Sequence, residues 1–378
     1  DKGSLDSDIY INTDSLDDYI YKGRLNLNHF NVDLFKNKFG IKEVDGEINV
    51  EGKGIDILSF DTEIVGNLNS VNIGGRAYND IILNGRLQPN YFKGEAWVKD
   101  DDLELDFSGE VDFSNDKPVM DFVANVVEAD LVKLNLYNKG PVANLSSLIE
   151  INLKGNEWSN IEGELGVYYT SLETSDNHHY YNDILFTSEK LKDKDILSLK
   201  SDFISANLEG QIDVPNIFNS LLAYLNPHFP LLNGSSNYLQ DFEFELDFLN
   251  TSALTELFIP KFNFEQGTRF YGSFRNRGGG LNLAVESPGF SWGKYSLNNL
   301  NLSALIREKD WVINLHGDKC NYDDSAIIEN ISLNQLGSYG ASNYFLNWES
   351  SDSIKFQGGL KGLVNMDQSS LKVVLDES

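Results

Sequence analysis

The sequence predicts an all-β chain: an elongated, curved, mostly continuous antiparallel sheet that forms an apolar groove, with a few short helices. Three observations carry that expectation. Apolar and polar residues alternate along most of the 378 residues, the pattern of strands with one greasy face, because successive strand side chains point to opposite sides. Short clusters of Gly, Asn, Asp and Pro interrupt the alternation, as turns between antiparallel strands require. Aromatic residues make up 12% of the chain, with 23 Phe and 17 Tyr against 2 Met, and aromatics suit pleated surfaces.

In chain order, the clearest alternating runs are EINV (47–50), DLELDF (102–107), FVANV (122–126), DFEFELDF (241–248), LNLAV (281–285) and WVINLHG (311–317). DFEFELDF is the sharpest, with Phe or Leu at every even position and Asp or Glu at every odd one. SNDKP (114–118) reads as a turn. NIFNSLLAYL (216–225) has helical spacing through Ile217, Leu221, Leu222 and Leu225, and ADLVKLNLY (129–137) is a candidate for one helical turn.

A diffuse repeat overlies these elements. YNDIIL (78–83) returns as YNDILF (181–186) and more loosely as YSLNNLNL (295–302). Downstream of each lies a strand of the form apolar–x–Gly–x–apolar: FSGEV (107–111), LEGQI (208–212) and FQGGL (356–360). These define approximate units at 40–136, 145–225 and 240–365. No Ser- or Pro-rich linker separates them, so one continuous body is expected.

Composition excludes several classes. A 41% hydrophobic chain is no disordered segment, and a net charge of −28 argues against nucleic acid and against an anionic bilayer surface. The single Cys320 allows neither an internal disulfide nor a cysteine-based metal site. No apolar run reaches the ~18–20 residues of a membrane-spanning helix.

No catalytic constellation emerges either. The adjacent His178 and His179 would face opposite sides of a strand, and NHHYY (177–181) reads as a hairpin tip. There is no metalloprotease, nucleophile-elbow, P-loop or EF-hand signature. RNRGGG (275–280) reads as a hairpin loop and DDD (100–102) as a charged turn. Trp97, Trp158, Trp292, Trp311 and Trp348 are widely spaced, which favours packing over a sugar platform. The expectation is a protein without enzymatic activity, cofactor or metal.

Three stretches together resemble the TamB family, the inner-membrane-anchored half of the translocation and assembly module of Gram-negative envelopes. They are residues 52–114, from GKGIDILSF to SGEVDFS; PVMDFVANVVEADLVKLNL (118–136); and the echoed YNDILF…LEGQIDV of 181–214. The resemblance is strongest over 52–136. It implies a β-taco, a long sheet folded into an apolar groove, as in the wider AsmA-like and bridge-type lipid transfer proteins. It further implies phospholipid as cargo, a periplasmic location, and a BamA-like outer-membrane barrel, TamA or its relative TamL, as partner. The family's N-terminal membrane anchor and barrel-engaging domain are not recognisable, so an interior or near-C-terminal stretch of a longer chain is expected.

Strands of about eight residues would then span ~26 Å. The groove-lining candidates are Leu103, Leu105, Phe107, Val111, Phe113, Leu208, Ile212, Phe242, Phe244, Leu246, Phe248, Leu281, Leu283, Leu300 and Leu302. The rival expectation is a β-sandwich adhesin or carbohydrate-binding array, which would need exposed, clustered Trp or Tyr.

Overall fold

A computed structural model describes residues 3–12, 19–32, 38–54, 56, 58–138, 140–175, 177–232, 234–235, 239–250, 262–276, 278–323, 325–350 and 357–376, without the side chains of 262 and 325–327. Among the described residues the fold is all-β, an open antiparallel sheet of 23 strands with one short α-helix. The chain divides into two compact units, Asp1–Leu185 and Phe186–Ser378.

Unit 1 runs through β1 (Ser4–Asn12), β2 (Ile20–Asn31), β3 (Ile41–Lys53), β4 (Asp61–Ile73), β5 (Arg76–Gln88), β6 (Tyr91–Asp100), β7 (Leu103–Asp112), β8 (Val119–Asp130), β9 (Ala143–Lys154) and β10 (Glu162–Thr174). Each strand pairs antiparallel with the next. β11 (His178–Lys190) carries the unit boundary. Between β8 and β9 the Leu134 N–H bonds the Asp130 carbonyl at 2.9 Å, the single helical turn expected at 129–137.

Unit 2 continues with β12 (Asp195–Ser201), β13 (Ile204–Gln211), α1 (Ile217–Leu225), β14 (Asp241–Phe248), β15 (Phe262–Phe264), β16 (Thr268–Arg275), β17 (Gly280–Trp292), β18 (Tyr295–Ile306), β19 (Trp311–Tyr322), β20 (Ser325–Ser338), β21 (Ala341–Ser350), β22 (Gln357–Met366) and β23 (Leu371–Leu375). β14 pairs with β16, and β15 prolongs the line of β16 along β17.

Many strands reach 12 or 13 residues rather than eight, because β-bulges carry them around a bend. In unit 1 the register shifts between Leu27 and Phe30, Asp45 and Gly46, Glu104 and Leu105, Val126 and Ala129, and Tyr168 and Ser171. Followed from strand to strand, these positions form one line across the unit. His29, Asp80 and Tyr169 on that line hold φ of 47°, 50° and 52°. Unit 2 has its own line: the pairing of β18 lapses at Asn299, with φ of 50°, and the register of β20 shifts beside Asn330, with φ of 49°. Bulges increase twist and bend a strand, and Asn, Asp and His tolerate the left-handed region better than most residues.

A carboxylate on the neighbouring strand repeatedly tethers the bend. Asp45 Oδ1 accepts the His29 N–H at 2.8 Å, and Asp100 Oδ2 accepts both the Asn79 N–H and Nδ2 at 3.0 and 2.9 Å. In unit 2, Asn299 Nδ2 donates to Asp318 and Asn330 Nδ2 to Glu349, each at 2.6 Å. Part of the chain's acidity therefore sits where the strands turn.

The bend curls unit 1 into a trough. Gly40 accepts a bond from Gly74, just before β5, at 3.2 Å. Two residues earlier, the Lys38 N–H reaches Asn90 Oδ1, just after β5, at 2.7 Å. Lys38–Gly40 can extend at most ~11 Å, whereas β5 laid straight would span ~43 Å. The two ends of β5 must therefore approach each other. Phe39 closes the same contact edge-on against Phe113, with ring centroids 5.6 Å apart.

Candidate functional site

The register places the candidates of each unit on one face. In unit 1, Leu105, Phe107 and Val111 of β7 lie opposite Val98, Ala96 and Phe92 of β6, and opposite Val126, Ala124 and Met120 of β8. Leu103 faces Ala129 at the end of the same ladder, and Phe113 follows β7 to meet Phe39. The face continues through Leu83 and Ile81 to Ile64 and Leu68, and on to Ile48 and Val50. Its floor is buried around Val44, Leu68, Val71 and Ile81, whereas the five candidates are half-buried.

In unit 2, Leu208 of β13 faces Phe244, and Phe242, Phe244, Leu246 and Phe248 of β14 face Phe274, Gly272, Phe270 and Thr268 of β16. The same rows pass through Leu281, Leu283 and Val285 of β17 to Ile306, Ala304 and Leu302 of β18, with Leu300 opposite Ser287. Two covers flank this face. At one end, Ile217, Leu221, Tyr224 and Leu225 of α1 pack on Phe242, Phe274, Leu281, Ile306 and Trp311. Phe229 lies 4.9 Å from Trp311, and buried His228 bonds the Arg307 carbonyl at 2.6 Å. At the other end, Phe264 gathers Phe248, Phe270 and Phe290 within 5.2–5.6 Å.

The candidates therefore differ in environment. Ile212, Phe242 and Leu281 belong to the core beneath α1, and Leu300 is buried on the bend line. Leu208, Phe244, Leu246, Phe248, Leu283 and Leu302 remain half-buried.

Glycine sets the contour at matching points of two repeats. Gly109 and Gly210 sit at φ +148° and +145°, each opposite a Phe on the next strand, Phe122 and Phe242. A Cβ there would come within 2.4 and 2.2 Å of the Asp121 and Asp241 carbonyl oxygens. The third copy departs from this pattern: Gly358 makes room for the Trp348 ring, and Phe356 lies outside the described residues.

On the opposite face, DFEFELDF is acidic but not unpaired. Arg275 holds Glu243 at 2.9 Å, and Arg269 holds Asp247 at 2.8 Å and also Glu245. Within the DDD turn Asp102 is likewise paired: Lys133 and Arg76 reach it at 2.7 and 2.6 Å and hold its carboxyl below the usual carboxylate range. A cleft of about 400 Å³ opens on the polar face of unit 1 beside Lys93, Glu110, Asp121, Glu150, Glu164 and Tyr168. It lacks the half-buried Leu and Phe candidates.

Sequence reasoning missed two clusters. His29 Nδ1 lies 2.8 Å from Glu43 and 3.0 Å from Asp45 on adjacent strands, and only the register reveals their convergence. Trp292 and Tyr295 flank a tight hairpin turn, with Tyr322 on the neighbouring strand 5.2 Å from Tyr295. They are 62%, 56% and 43% exposed, an aromatic grouping hidden by counting tryptophans alone. The paired histidines form no joint site: His178 bonds Ser171 at 2.7 Å while His179 stacks on Tyr181. RNRGGG joins β16 to β17 as a hairpin loop, with Arg277 outside the described residues.

Comparison with protein-family models, curated proteins and solved structures finds no match to this chain. Among the described residues, no helix is long and apolar enough to cross a membrane.

Proposed function

We propose that this chain is a non-enzymatic segment of a lipid conduit, holding phospholipid acyl chains against the apolar face of each unit. One observation carries the reading: Leu105, Phe107 and Val111 in unit 1, and Phe244, Leu246, Leu283 and Leu302 in unit 2, form continuous cross-strand rows yet stay half-buried. An acyl chain is a ligand without directional bonds. Such a face can hold it by burial alone, at ~25 cal/mol per Å² removed from water. The resemblance to the TamB family supports a location for this conduit in the periplasm of a Gram-negative cell. It would be part of an inner-membrane-anchored protein reaching the outer membrane, and would support outer-membrane protein assembly with a BamA-family barrel, TamA or TamL.

Changing Phe244 and Leu246 to Asp would put carboxylates on the apolar rows, at several kcal/mol each if unpaired. The control is Glu243→Gln with Glu245→Gln on the opposite face. Lysine there would confront Arg269 and Arg275. Native mass spectrometry of protein purified gently from cells should detect phospholipid on the wild type and the control, and not on the Asp variant. A photo-crosslinker at Phe244 should capture lipid while one at Glu245 does not. Equal capture at both positions, or none at either, would overturn the reading.

A second reading, a carbohydrate-binding array, is favoured by the exposed Trp292, Tyr295 and Tyr322 alone. Rings of this kind stack on sugar faces. Glycan binding abolished by Trp292→Ala, with lipid absent, would select it.

A further inference from the structure

We infer that His29, Glu43 and Asp45 form a binding site for one divalent first-row transition-metal ion, with Zn²⁺ the best fit, on the polar face at the bend of unit 1. Among the described residues this is the one place where three metal-ligating side chains meet, with one ligand atom of each within 4.8 Å of the others. His29 Nδ1 lies 2.8 Å from Glu43 Oε1 and 3.0 Å from Asp45 Oδ2. An ion bound at ~2.1 Å to two donors at right angles holds those donors ~3 Å apart. The nitrogen and the two oxygens are therefore already spaced as ligands of one ion.

The backbone sets this convergence. Glu43 and Asp45 flank Val44, which pairs with Phe30 of β2 and is buried in the floor of the unit. The two carboxylates therefore leave β3 together on the opposite face. His29 stands where the register of β2 shifts between Leu27 and Phe30, at φ 47°. Asp45 Oδ1 accepts the His29 N–H at 2.8 Å, so Oδ2 is the oxygen left for the ring side. The other tethers each join an amide to one carboxylate: Asn79 to Asp100, Asn299 to Asp318 and Asn330 to Glu349. At His29 an imidazole replaces the amide and a second carboxylate joins it.

The donor set selects the ion. Paired carboxylates are commonplace on a chain of charge −28 and make no site alone. The imidazole nitrogen is what discriminates, because Mg²⁺ and Ca²⁺ take oxygen shells whereas Zn²⁺ takes His nitrogen and carboxylate oxygen together. A neutral imidazole and two carboxylates also balance the charge of a divalent ion. The His29, Glu43 and Asp45 side chains are 70%, 47% and 20% exposed, so the remaining coordination positions face solvent and would be filled by water. An ion held by both strands would fix β2 on β3 at the bend, and it would favour the folded chain because the unfolded one has no such set.

The inference is independent of what the apolar face binds. The test titrates the full chain, freed of metal with a chelator, with Zn²⁺ and separately with Mg²⁺, read by calorimetry and by NMR of the histidine rings. Zn²⁺ should occupy one strong site and move the His29 ring before those of His178, His179, His228 and His316, whereas equal Mg²⁺ should leave His29 unmoved. His29→Gly, which tolerates the left-handed backbone, and Glu43→Gln, which keeps both backbone and ring, should each weaken that binding at least ~tenfold. Glu51→Gln, farther along β3 and paired with Lys22, removes the same charge at a screened distance and should change it less than about twofold. Circular dichroism checks the folding of each variant. An unmoved His29 ring, a Mg²⁺ response equal to that of Zn²⁺, strong binding that survives Glu43→Gln, or an equal loss in Glu51→Gln would each overturn the proposal.

Discussion

Unit 1 and unit 2 use the same strand grammar and cover their apolar faces differently. Unit 1 buries its floor by curling: the bend line draws the ends of β5 together, and Val44, Leu68, Val71 and Ile81 are buried against their own sheet. Unit 2 buries one end of its face with a separate element, α1, under which Phe274 is fully buried. Alternation states which face is apolar, but the cover is decided elsewhere. A residue's half-burial in one unit and full burial in the other therefore do not follow from its own strand pattern.

The largest expected effect breaks this contrast directly. Phe274 sits between Tyr224 of α1 and Phe242, at 5.5 and 5.7 Å between ring centroids. Phe274→Ala should cost ~3–5 kcal/mol, the range for a large aromatic lost from a closed core. Phe107→Ala, on the half-buried face of unit 1, should cost only ~1–2 kcal/mol. Denaturant unfolding followed by hydrogen exchange should show protection lost in β14–β17 for the first variant and largely kept in β6–β8 for the second. Equal losses would mean that the face of unit 1 is as tightly packed as the α1 core.

The next effect sharpens what the units share. Gly109→Ala and Gly210→Ala each force a Cβ onto the adjacent strand's carbonyl oxygen at a positive φ, at ~1–3 kcal/mol. Because the local geometry matches, the two costs should agree within ~1 kcal/mol by chemical denaturation, well inside the range for a strained backbone position. A large cost at one site alone would reduce the repeat to a coincidence of sequence.

A smaller effect concerns the bends. Asn299→Ala removes the 2.6 Å bond to Asp318 and places a Cβ residue without a local partner at φ 50°. The expected loss is ~1–2 kcal/mol. Asn299→Gly, which tolerates that backbone, should recover part of it. Recovery by Gly would assign the cost to backbone conformation, and no recovery would assign it to the Asp318 bond.

The bends also mark the limit of what the sequence conveys. DFEFELDF, WVINLHG and NIFNSLLAYL announce their elements because period and composition are local properties. The positions where strands turn do not. Asp80 within YNDIIL and Asn299 within YSLNNLNL hold a left-handed φ where the strand pairing lapses, and the only trace is a short polar residue inside an alternating run. The core beneath α1 is less legible still: Ile212, Phe242 and Leu281 look identical to Leu208, Phe244 and Leu283 in any alternation, yet the first three are buried in that core and the others are half-buried at its border. The His29 cluster needed the β2–β3 register, which a one-residue slip would have scrambled.

The smallest effect distinguishes the two bend lines by pH. The tethers of unit 2 join Asn299 to Asp318 and Asn330 to Glu349; His316 lies 3.7 Å from Asp318, so the Asn330–Glu349 tether is the comparison without a histidine. In unit 1, His29 hydrogen-bonds Glu43 at 2.8 Å and lies 3.0 Å from Asp45. The Glu43 bond first, then the Asp45 charge, raises the imidazole above its ordinary value of 6.5. A group whose folded value is raised stabilises the fold fully below its unfolded value, and that contribution fades as pH climbs through the folded value. The bend of unit 1 should therefore loosen slightly between about pH 6 and pH 8, the range in which histidine titrates. The ring is exposed and the pair is screened by salt, so the change should be small and shrink further at high ionic strength. An NMR titration of the His29 ring should give a midpoint above 6.5 that falls in Glu43→Gln. Amide exchange in β2 and β3 should quicken across the same interval in the wild type and not in His29→Gln, while β21, which carries the Glu349 end of the other tether, stays level in both. An ordinary midpoint, or equal pH sensitivity on both lines, would leave His29 as a bulge residue with no electrostatic part in the bend.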